Sequence, residues 1–110
     1  MSAQLKSAVH EVTRALALLG SDPRSPALPS ALGSAEIAVD ALPRDVTSAV
    51  LHRLVVSIEE CHHGGIAHSP ELAVRARSVC RALRLDPRWT TSAARHLSAT
   101  TAPALSSAVA

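Results

Sequence analysis

The sequence predicts an all-α fold: a compact bundle of four to five helices around a central helical hairpin at about residues 44–85. Three observations lead there. Apolar side chains recur at three- and four-residue spacing, the period of one helix face and not of a strand. Alanine, the strongest helix former, leads the 47% apolar content, while Tyr and Phe are absent and Trp89 is the one aromatic residue. Helix start and stop signals then separate the periodic segments, most plainly Gly64-Gly65 and Ser69-Pro70-Glu71.

The 110 residues suffice for one domain. Residues 1–100 are expected to form it, with 101–110 a frayed Ala/Ser/Thr tail broken by Pro103. Alanine buries little area per residue, so the core is expected to be thin, the helices closely packed, and part of the apolar surface covered by a second subunit.

The first helix is expected over about Ser2 to Leu19. Leu5, Val9, Val12, Leu16 and Leu19 follow one another at spacings of four, three, four and three, an apolar stripe of the bundle or coiled-coil kind. Gly20 is the expected stop, and the three prolines at 23, 26 and 29 make a stiff connection. A second helix is expected from Ser30 or Ser34 to Leu42, with Pro43 closing it or opening the next.

The third helix, about Arg44 to His63, has apolar side chains over more than half its circumference and so belongs at the centre of the bundle. Its fourth neighbour starts at Ser69 and carries Leu72, Ala76, Val79 and Leu83 on one face. Arg77, Arg81 and Arg84 lie on another. Asp86-Pro87 repeats the start signal and predicts a fifth helix through Trp89, Ala93 and Leu97.

Two stretches are similar at an offset of 67 residues. Val12 to Leu18, followed by Asp22-Pro23, parallels Val79 to Leu85, followed by Asp86-Pro87. The run Arg81-Ala82-Leu83-Arg84-Leu85-Asp86-Pro87 also resembles the end of a tetratricopeptide repeat, whose second helix closes on Asp-Pro. The resemblance implies a helical-repeat architecture. It covers about ten residues, and the family's helix-A tryptophan, glycine and tyrosine positions fall on Glu59, His63 and Ile66.

Charge is unevenly placed. Residues 1–63 hold five basic and seven acidic side chains, whereas residues 64–110 hold six arginines against Glu71 and Asp86. The C-terminal half therefore suits an anionic partner or the acidic half of a neighbouring subunit. Cys61 and Cys80 are not expected to pair. With a chain reversal near Ile66, Cys80 falls about 12 Å along its helix from the level of Cys61, beyond the roughly 7 Å limit between bridged Cα atoms. Unbridged thiols suit a cytoplasmic protein. Lys6, His10, Glu11 and Arg14 interrupt the N-terminal stretch, so no signal peptide is expected, and no apolar run approaches membrane-spanning length.

Three sites are candidates. The first is a metal corner at Glu59, Cys61, His62, His63 and His68, where imidazole, thiolate and carboxylate donors suit zinc or, through Glu-x-x-His spacing, iron. The competing reading is polar residues at an exposed helix end, so no cofactor is the primary expectation. The second is a nucleic-acid face at Arg77, Arg81, Arg84 and Arg88, whose guanidinium forks suit phosphate, in the outline of a helix-turn-helix. It competes with a plain solvated helix face. The third is the stripe Leu5, Val9, Val12, Leu16 and Leu19 as a seam for a homodimer, a higher oligomer or another helical protein. That stripe would serve equally well inside the monomer.

A Cys-His nucleophile at Cys61 needs a base and a third orienting group, and His62 lies about 100° round the helix from it. The chain has no Gly-rich phosphate loop and no Gly-x-Ser-x-Gly elbow. The expected function is therefore non-enzymatic: a cytoplasmic adaptor, assembly factor or regulatory subunit that self-associates. A small DNA-binding regulator is the alternative, and a metal-binding bundle the third reading.

Overall fold

A computed structural model describes residues 2–85 and Trp89. Four helices follow in order: α1 (Ala3–Ser21), α2 (Leu28–Asp40), α3 (Val46–Gly64) and α4 (Pro70–Leu83), with no strand among the described residues. The all-α bundle predicted from periodicity is present. Apart from Trp89, the expected fifth helix and the frayed tail lie outside the described residues, as do Asp86 and Arg88. None of the four helices is long and apolar enough to cross a membrane.

The helix ends follow from local chemistry, and several differ from the sequence expectation. Ser2 caps α1, its Oγ accepting the Leu5 N–H at 3.1 Å. The helix does not stop at Gly20 but continues to Ser21, and Asp22 takes an extended conformation. Pro23 is the cause, because its ring excludes the helical region for the residue before it. The Asp22 carboxylate then accepts the Arg24 N–H at 3.0 Å and turns the chain.

α2 starts at Leu28, before the expected Ser30 or Ser34, because Pro29 fits its first turn, where no N–H is needed. α3 starts at Val46 and not at Arg44. Asp45 and Ser48 form a reciprocal capping box, with Ser48 N–H donating to Asp45 Oδ1 at 2.9 Å and Asp45 N–H to Ser48 Oγ at 3.0 Å. Pro43 therefore closes the α2 segment. α3 ends as expected. Gly65 takes the left-handed conformation, φ 65°, and the Ile66 N–H returns to the Cys61 carbonyl at 3.0 Å. Ser69, Pro70 and Glu71 open α4 as their order predicts, with Ser69 Oγ accepting the Leu72 N–H at 3.0 Å.

α1 packs along α2, and α3 along α4; α3 also contacts both α1 and α2, so it is the central helix. Its Leu51, Leu54, Val55 and Ile58 are fully buried together with Val12 and Leu19 of α1, Leu28 of α2 and Val79 of α4. Ala8, Ala15, Ala31 and Ala35 fill the space between α1 and α2. Alanines thus form a large part of the core, in keeping with the composition.

The tetratricopeptide resemblance does not survive. Glu59 and His63 sit in the last turns of α3 and Ile66 lies beyond Gly65, so no single helix holds the three positions that the repeat requires. The internal similarity also ends early. Leu16 corresponds to Leu83, yet α1 runs on to Ser21 while α4 terminates at Leu83.

Candidate functional site

The corner at residues 59–68 holds the richest chemistry in the sequence, and the fold spreads it out. Successive helical residues point about 100° apart, so adjacent donors at the end of α3 diverge. Cys61 is buried and its thiol donates to Ser69 Oγ at 3.6 Å, inside the α3–α4 joint. His62 turns the other way, where its Nδ1 lies 2.8 Å from the Pro23 carbonyl oxygen. A carbonyl only accepts, so this nitrogen carries the proton. Glu59 is half-buried, whereas His63 and His68 are exposed. Among the described residues no three His, Cys, Asp or Glu side chains are grouped so as to hold a metal ion. Cys61 and Cys80 are both buried and are not joined by a disulfide, as the spacing argument predicts.

What the corner does instead is join the two hairpins. The α1–α2 connection supplies Pro23 to His62 and lays the Arg24 guanidinium over Gly65. A Cβ built on Gly65 would lie 2.5–2.7 Å from that guanidinium. Glycine thus serves two needs here: its positive φ ends α3, and its missing side chain admits an arginine at the negative end of the helix dipole. Asp-Pro-Arg at 22–24 carried no signal of this partnership in the sequence.

The N-terminal stripe faces the core of the chain itself, and its C-terminal three residues are closed off there. Val12 and Leu19 are fully buried, Leu16 is 8% exposed, and Leu5 packs half-buried against the same core. Val9, next along the helix, is half-buried. On the flank of α1 Trp89 returns to the body of the domain: its indole N–H donates to Thr13 Oγ1 at 3.2 Å, while the Thr13 hydroxyl donates to the Val9 carbonyl at 2.6 Å. Trp89 also packs against the core.

A half-open groove at the α2–α3 turn is lined by Leu42, Arg44, Asp45, Ser48 and His52 among others. Asp45 and Ser48 already spend their polar atoms on capping α3.

The arginine face is the part of the predicted chemistry that stays open. Arg77, Arg81 and Arg84 are exposed, spaced four and three, and Val74 extends the same ridge at 47% exposure. Among the described residues the single ion pair joins Arg75 to Glu71 at 3.4 Å, which leaves the three ridge arginines without a described carboxylate in reach. Arg84 stands just past the helix in a left-handed conformation, φ 56°, so its side chain leaves at the C-terminal end of the ridge. Five residues, Gly65 to Ser69, separate α3 from α4, more than the three or four of a helix-turn-helix.

Neither a protein-family model, nor a curated protein, nor a solved structure matches this chain.

Proposed function

We propose that this protein is a non-enzymatic helical interaction module that recognises an acidic partner through the outer face of α4. The observation that carries the reading is the ridge of Arg77 and Arg81 on one side of α4, with Arg84 just beyond its end: all three are exposed and unneutralised by any described carboxylate. Guanidinium groups in such an array offer forked donors to carboxylates, and their aliphatic stems with Val74 offer apolar contact beside the charge. The inner side of α4 is committed to α3 through Leu72, Ala76 and Val79, so the outer side is available without unfolding. The N-terminal stripe is spent on the core, which moves the docking surface of the module from α1 to α4.

The same ridge favours nucleic acid as a second reading, because phosphate accepts from arginine as carboxylate does. Salt dependence separates them. Binding of a fluorescent glutamate-rich peptide and of a fluorescent DNA duplex is measured at increasing ionic strength. The proposed function predicts peptide binding that exceeds duplex binding at physiological salt. A duplex that binds more tightly, with the steep salt slope of several released counterions, transfers the role to DNA. Absence of binding to either ligand contradicts both readings.

A further inference from the structure

Resting on the docking role proposed for α4, we infer that the acidic partner is a second copy of this chain, presented by the outer face of its α2. Four residues of α2 share its solvent side at the helical positions i, i+3, i+4 and i+7: Gly33, Glu36, Ile37 and Asp40. Ile37 is 74% exposed, the most exposed large apolar side chain among the described residues, and the carboxylates of Glu36 and Asp40 flank it. Among the described residues neither carboxylate has an ion pair.

The outer face of α4 is the counterpart in kind. Val74 is its exposed apolar side chain, and Arg77 and Arg81 follow it on the same face, at i+3 and i+7, with the opposite charge. Each face thus pairs one aliphatic side chain with two like charges at one-turn spacing, and the signs are complementary. Within one chain they do not meet among the described residues. α2 packs on α1 and α3 while α4 packs principally on α3, and no ion pair joins the two.

Gly33 adds to the argument. Glycine inside a helix costs roughly 1 kcal/mol relative to alanine. A Cβ built at Gly33 meets no atom within 4 Å, so packing inside the chain does not call for glycine there. Its absence of a side chain leaves a low point beside Ile37 where a neighbouring helix can approach.

Contact between α2 of one copy and α4 of the next can be made in two ways, reciprocally within a pair or head to tail along a series. It yields a closed dimer if both contacts form across one two-fold axis, and a longer assembly if they do not. Opposed unlike charges favour the contact, and like charges brought together oppose it.

Sedimentation velocity of the full chain over a concentration series at low salt tests this, with circular-dichroism melting of each variant as the folding control. The wild type is expected to associate with rising concentration and to dissociate at high salt. Arg77→Glu with Arg81→Glu, and separately Glu36→Lys with Asp40→Lys, should each weaken association by more than about tenfold while remaining folded. An equimolar mixture of the two variants should reassemble, because every reversed face then meets its complement. A wild type that stays monomeric throughout, or variants that associate as the wild type does, or a mixture that fails to assemble, overturns the inference. The peptide assay distinguishes this failure from that of the docking role. A monomeric wild type whose peptide binding is lost in the arginine variant keeps the α4 face and removes only the second copy. An arginine variant that still binds peptide removes the docking role itself.

Discussion

α1 and α4 bear stripes of the same three-and-four spacing in opposite surroundings. Val12, Leu16 and Leu19 project from α1 into α2 and α3 and are closed off by them. Val74, Arg77 and Arg81 project from the side of α4 turned away from α3 and meet solvent, as does Arg84 just past its end. The first stripe is consumed by the stability of the chain; the second adds little to it and remains exposed. Spacing alone does not separate these roles. The difference lies in what the neighbouring helices offer: α2 presents alanines that let α1 sink against them, whereas no described helix covers the outside of α4.

Substitution can break this contrast at either end. The largest effect is expected from Val12→Asp combined with Leu16→Asp, which places two carboxylates in an apolar core without partners. The loss should exceed about 4 kcal/mol, enough to abolish helicity in far-ultraviolet circular dichroism. A variant that keeps its helicity while only its oligomeric state changes would return the α1 stripe to the surface.

Gly65→Ala comes next. Its φ of 65° strains any residue with a Cβ, and the Arg24 guanidinium must move aside, so about 1–2 kcal/mol should be lost in urea unfolding. The arginine is the flexible end of that contact, hence backbone strain should dominate. Arg24→Ala in the same background should then cost little more.

Asp45→Ala removes one half of the capping box that starts α3, and about 1 kcal/mol should go with it. Asp45→Ser, which keeps an acceptor for the Ser48 N–H, should recover most of the loss. Smallest is Arg77→Glu with Arg81→Glu, expected to cost less than about 1 kcal/mol, chiefly through the loss of a favourable cation in the last turn of α4.

Much of the fold was legible because helix period and capping chemistry are local. Ser69-Pro70 and Gly64-Gly65 marked their boundaries within a residue, and the breadth of the apolar surface of α3 identified it as the central helix. Boundaries were misjudged where two local signals competed. Gly20 suggested a stop, but glycine permits a helix to end without requiring it, and Pro23 set the end instead. Asp45-x-x-Ser48 was the signal that starts α3, and it was hidden behind Pro43.

The candidate site was less legible, because it depends on contacts between distant segments. Cys61, His62, His63 and His68 are close in sequence and divergent in space. The bond from His62 to Pro23 spans 39 positions, and the one from Trp89 to Thr13 spans 76. No periodicity encodes either. The arginine ridge was visible in the sequence as a face, but that it has no described carboxylate in reach is a property of packing.

The central claim is that the arginines of α4 serve binding and not folding. The most direct test titrates a fluorescent glutamate-rich peptide into the wild type and the Arg77→Glu, Arg81→Glu variant, with the melting curve of each recorded alongside. The account predicts that the variant melts nearly as the wild type does and loses the peptide. A variant that binds the peptide as tightly as the wild type would contradict it, and the ridge would then be a solvated helix face and nothing more.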